Sequence, residues 1–85
     1  MREPLSRDEL KRLIPILKAM AEAGRGWPVA RAAREIRVSK DYVRDHIGKE
    51  FDLMREKPVK HITAKSMLQY LKDTYTGPDY YDLFD

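Results

Sequence analysis

Between Ser39 and Lys49 the chain reads SKDYVRDHIGK, a run of side chains suited to hydrogen bonding rather than to bond making. Arg44 carries forked donors that fit two acceptors on one edge, as on guanine. Asp41 stands three residues before it and can fix its rotamer if the run is helical. Asp45 can accept from an amino group such as that of cytosine, or pair with Lys49. Lys40 and Lys49 are point cations, and the Ser39 and Tyr42 hydroxyls can donate to an anion. Intrahelical ion pairing on a solvated face would use the same residues.

Other chemistry finds little to work with. There is no cysteine, and the two histidines, His46 and His61, are far apart. No metal, cofactor or disulfide is expected. There is no glycine-rich phosphate loop and no convincing acid pair, so the chain is not expected to be an enzyme. Its 85 residues make one domain with a modest core. No apolar run approaches the roughly 18 residues of a membrane span, and MREPLSRDEL does not read as a signal peptide. A cytoplasmic, nucleoid-associated location is the expectation.

The net charge of +3 is unevenly spread. Residues 73–85 hold Asp73, Asp79, Asp82 and Asp85 and no lysine or arginine, so residues 1–72 carry 17 − 10 = +7. A basic body with an acidic tail points to a polyanionic partner. The absence of asparagine, the single glutamine and the 36% of charged residues fit a thermophile.

Four helices should position these groups. Ser6-Arg7-Asp8-Glu9 is a capping box, and Leu10, Leu13, Ile14, Leu17, Met20 and Ala21 follow at helical spacing. The first helix is predicted over 7–23, with Pro15 inside it and Gly24 as its stop. The second spans 28–36, beginning at Pro28 and burying Val29, Ala32, Ala33 and Ile36. Trp27 precedes it as a core anchor. Ser39 caps the third, over 40–49, with Val43 and Ile47 inward and His46 packed beside Ile47. Tyr42 can face a phosphate or cover the junction with the first helix.

Residues 51–62 read as a hairpin around Arg55-Glu56-Lys57-Pro58. Val43, Ile47, Phe51 and Met54 also continue a helical spacing, but Gly48 argues against a longer third helix. Thr63 caps the last helix, 64–75, with a stripe of Ala64, Met67, Leu68, Leu71 and Tyr75. Residues 1–78 form the domain. Residues 79–85, DYYDLFD, form an acidic-aromatic tail that should pack away from the third helix or across a dimer partner. A tail that competes with DNA as an internal mimic is the alternative.

Two helices joined by three residues must cross steeply, and the stretch from Ala33 to Ile47 resembles the helix-turn-helix of bacterial and archaeal transcription regulators. Ala33 matches the small residue of the first helix and Ile36 the apolar residue before the turn. Val38, Val43 and Ile47 match the buried positions that follow. Arg37 stands where glycine is frequent; a left-handed arginine there costs roughly 1–2 kcal/mol. Helical hairpins of unrelated bundles share parts of this pattern. With the hairpin, the resemblance extends to the winged-helix subclass.

The resemblance implies sequence-specific binding of double-stranded DNA by a small regulator, with repression by occlusion as the simplest mode. The third helix would enter the major groove, with Lys40, Asp41, Arg44 and Asp45 at base edges. Arg31, Arg34, Ser39, Tyr42, Lys49, Arg55, Lys57 and Lys60 would meet the backbone. A homodimer would place two such helices about 34 Å apart. The alternative is a protein-binding adaptor that uses the same fold and the tail. An apolar third-helix face would favour the adaptor; a basic surface shared by that helix, the second helix and the hairpin would favour DNA.

Overall fold

The computed structural model describes residues 5–75 and 77–84. In chain order it contains α1 (Arg7–Glu22), β1 (Gly26–Pro28), α2 (Val29–Ile36), α3 (Lys40–Asp45), β2 (Leu53–Arg55), β3 (His61–Thr63), α4 (Ala64–Thr74) and α5 (Tyr80–Phe84). The fold is mainly α, with one antiparallel sheet of order β1-β3-β2. No helix among the described residues is long and apolar enough to cross a membrane.

The ends of α1 follow from local chemistry. The Glu9 amide donates to the Ser6 hydroxyl at 3.2 Å and the Ser6 amide to the Glu9 carboxylate at 3.0 Å, the reciprocal bonds of a capping box. At the other end Gly24 takes φ +68°. The Arg25 amide then reaches the Met20 carbonyl (2.8 Å) and the Gly24 amide that of Ala21 (3.1 Å), the paired bonds of a Schellman stop. Leu10, Leu13, Ile14 and Leu17 are buried, chiefly against α4, while Pro15 lies within the helix on its exposed side.

From the sequence, Gly26-Trp27-Pro28 reads as a break and a helix start. It is instead a strand whose partner, β3, lies far along the chain: Trp27 pairs with Ile62 and Gly26 with Thr63. Gly26 is required here, because a Cβ at this position would sit 1.9 Å from the Ile62 carbonyl oxygen. Pro28 is extended (ψ 150°) and precedes α2 rather than opening it. The first free amide of α2, that of Val29, donates to the Lys60 carbonyl at 3.0 Å. The hairpin of β2 and β3 is thereby bonded to the start of α2 as well as to β1.

The third helix, α3, is shorter than its sequence predicts. It stops at Asp45, four residues short of the anticipated 49. Gly48 at φ +89° turns the chain back, its amide donating to the Phe51 carbonyl at 2.7 Å while the Phe51 amide donates to His46 (3.1 Å). This turn drives Phe51 fully into the core. Ile47 lies in the turn, half-buried, and Lys49 is not on the helix.

Thr63 caps α4 as expected, accepting from the Ser66 amide at 3.2 Å. The buried side of α4 includes Tyr70, absent from the anticipated stripe, whereas Leu68 is only half-buried. The tail is folded rather than extended. Residues 80–84 form α5 and pack on α1, with Leu83 and Phe84 buried. The Phe84 ring meets Tyr75 edge-on at 5.6 Å and lies tilted against Tyr80 at 5.0 Å. Arg7 of α1 pairs with Asp79 at 3.3 Å.

Candidate nucleic-acid interface

Three residues, Arg37-Val38-Ser39, separate α2 from α3. The corner closes because Arg37 adopts the left-handed conformation (φ 59°, ψ 49°). The Val38 amide then bonds the Ala33 carbonyl at 3.0 Å, and the Ser39 hydroxyl caps α3 by accepting from the Tyr42 amide at 3.0 Å. Ala33 and Val43 are buried in the core beneath this corner, as their spacing predicts.

The guanidinium of Arg37 reaches across to α1 and pairs with the Glu9 carboxylate. Glu9 thus uses one oxygen in the capping box and the other at the corner. The Ser6 backbone N–H is the main reason that the Glu9 carboxyl lies below its ordinary value. The Ser6 hydroxyl acts in the same direction, burial opposes both, and the Arg37 and Arg12 charges add smaller lowering effects.

Lys40, Asp41, Arg44 and Asp45 are all exposed on α3. The expected contact between Asp41 and Arg44 exists as a loose ion pair of 3.6 Å, with 57% of the Arg44 side chain still exposed. Two cations and two acids make this face neutral in sum. It can discriminate hydrogen-bonding partners but supplies little general attraction for a polyanion. Asp45 makes no ion pair with Lys49 among the described residues, since Lys49 has left the helix.

Tyr42 turns inward. Its ring stacks on His46 at 3.9 Å and lies edge-on to Tyr70 and Phe51, so it covers a junction with α4. Its hydroxyl, anticipated at a phosphate, donates to Glu50 at 2.6 Å. His46 packs on Tyr42 and donates through Nδ1 to the Tyr42 carbonyl at 2.7 Å.

The remaining cations flank α3. Arg31 lies over the buried Trp27 ring at 4.6 Å, which orients it at the start of α2. Arg34 lines a groove between α1 and α2 together with Glu9, Arg12, Glu35 and Arg37. Arg55, Lys57 and Lys60 are exposed along the hairpin. Arg55 donates to His61 Nε2 at 3.3 Å, while His61 Nδ1 donates to the Val59 carbonyl at 2.9 Å.

The hairpin also carries exposed apolar side chains. Leu53, Met54 and Val59 are 42%, 40% and 52% exposed, three of the five large hydrophobics exposed among the described residues. None of the five lies on α3. The partial alternation in FDLM and VKHI signalled strands, but gave no sign that these apolar side chains would stay exposed. Among the described residues no group of His, Asp and Glu could hold a metal ion. No family model, curated protein or solved structure matches this chain.

Proposed function

We propose that this protein binds double-stranded DNA sequence-specifically as a small transcription regulator, with α3 in the major groove. The observation that carries this reading is the α2–α3 corner. A left-handed Arg37 and a buried Ala33 hold two short helices together, while Lys40, Asp41, Arg44 and Asp45 remain in solvent. An α-helix is narrow enough for the major groove. The element order and the β1-β3-β2 sheet also resemble those of winged helix-turn-helix domains, in which the β2–β3 hairpin would be the wing.

In this reading recognition and affinity have different sources. Arg44, aligned by Asp41, reads a base edge, and Lys40 and Asp45 read its neighbours. Arg31 at the start of α2, Lys49 in the turn, and Arg55, Lys57 and Lys60 on the hairpin contact phosphates and set register. The Ser39 hydroxyl accepts the cap bond and keeps its own proton for a phosphate, while the Tyr42 hydroxyl already donates to Glu50. Occlusion of a promoter would make the protein a repressor. A second copy would add a second half-site one helical turn away.

Selection of sites from random duplexes with the purified full chain tests this directly. Enrichment of one motif, bound with a steep salt dependence, is the expected result. Failure to enrich any duplex, or equal binding of selected and random sequences, overturns it. The adaptor reading keeps one specific support, the exposed Tyr81 beside Asp82 on α5. It would be favoured if α5 substitutions abolished capture of a protein partner while DNA binding was absent.

A further inference from the structure

We infer that the hairpin is a wedge as well as a clamp: Val59, at its tip, enters the minor groove and unstacks one base step. The inference rests on the DNA-binding reading above and adds a deformation to it.

Three observations lead here. Every residue from Asp52 to Lys60 is exposed, and Leu53, Met54 and Val59 keep large apolar surfaces in water. Cations are interleaved with them: Arg55, Lys57 and Lys60, against Asp52 and Glu56. The Val59 backbone is braced while its side chain is open. His61 holds the Val59 carbonyl at 2.9 Å, Arg55 holds the far side of His61 at 3.3 Å, and the next residue, Lys60, is bonded through its carbonyl to Val29 at the start of α2.

The chemistry selects the occupant. Apolar side chains interleaved with an excess of cations over acids fit a surface that is anionic outside and apolar within, which describes the sugar-phosphate walls and stacked bases of a groove. A tip braced in this way would transmit the docking of α2 and α3 into local strain on the duplex. Insertion should favour a pyrimidine–purine step, where unstacking is easiest. Pro58, beside Val59, has no amide proton to desolvate.

The test uses the full chain and its selected duplex, with 2-aminopurine placed in turn at adenines across and beyond the α3 footprint. Binding should raise the fluorescence several-fold at one step to the side of the footprint, and energy transfer between the duplex ends should report a bend. Val59→Ser should abolish the rise and reduce the bend while melting like the parent. Val59→Leu should restore the rise. Tight, selective binding with no rise at any step and no bend would overturn the wedge and leave the DNA reading intact. Absence of selective duplex binding would sink both. If Val59→Ser weakened binding to phosphatidylserine vesicles and left the DNA complex unchanged, the apolar tip would belong to a membrane surface.

Discussion

Glu9 and Arg37, 28 residues apart, are joined by an ion pair that ties the first turn of α1 to the left-handed corner between α2 and α3. The corner therefore has a partner outside its own two helices. Arginine at this position holds an unfavourable backbone conformation but reaches an acid that glycine could not.

Substitutions at Arg37 separate those two effects. Arg37→Ala loses the ion pair and keeps the left-handed strain. Arg37→Gly loses the same pair and relieves the strain. The glycine variant should be more stable than the alanine variant by about 1 kcal/mol. Urea midpoints at unchanged slope would show this difference. Equal midpoints would mean that the corner relaxes when the arginine is removed.

Glu9 makes stability pH-dependent in a defined direction. Its carboxyl is held below the ordinary glutamate value by the Ser6 N–H, aided by the Ser6 hydroxyl and by Arg37 and Arg12. The unfolded chain then takes up this proton at a higher pH than the folded one. The stabilisation is complete above the unfolded value and is lost as pH falls through the folded value. Glu9→Gln should lower the melting temperature at neutral pH, and the gap to the parent should close on acidification. A gap that widened in acid would contradict the assignment.

Ala33 lies 2% exposed beneath the helical corner. Ala33→Leu should overpack this contact and cost roughly 1–3 kcal/mol in thermal or urea unfolding. A variant as stable as the parent would show that α2 and α3 are not in close contact there.

Base reading and phosphate contact should separate by mutation. Arg44→Ala should relax the preference at one base pair, at a cost of roughly 1–3 kcal/mol on the selected site and little on random duplex. Lys57→Ala should weaken both alike and reduce the salt slope by about 0.9 if one phosphate contact is lost. Fluorescence anisotropy at several salt concentrations distinguishes the two. Unchanged discrimination in Arg44→Ala would remove α3 from the recognition role.

Removal of residues 79–85 tests the helical tail. Leu83 and Phe84 are buried, and exposing the surface they cover should cost at least about 3 kcal/mol. The melting temperature should fall while specific DNA affinity of the folded protein stays the same. Tighter DNA binding at an unchanged melting temperature would instead make the tail a competitor for the DNA site.

The parts of the fold legible in the sequence were those stabilised locally. Ser6 with Glu9, Gly24, Ser39 and Thr63 each mark a helix end through partners only a few residues away. The parts that were not legible depend on distant partners. Trp27 belongs to a strand only because Ile62 lies beside it, and three residues carry no periodicity of their own. Gly48 correctly marked a stop, but the early end of α3 depends on Phe51 turning back to the core. Residues 80–84 are too few to form a stable helix alone; Tyr75 and the side of α1 hold them. At the candidate site, residue types were readable while neighbours were not, so the bond from Tyr42 to Glu50 and the exposed apolar side chains of the hairpin emerged only in three dimensions.

The pairing of Trp27 with Ile62 also has a consequence for the newborn chain. Trp27 leaves the ribosome well before its strand partner, by a separation of 35 positions. At about 5–20 residues per second, that leaves the indole waiting for seconds. Emission from this single tryptophan, followed on stalled chains of increasing length, should shift to the blue only once Thr63 has emerged. The same indole would then serve as a built-in clock for closure of the domain.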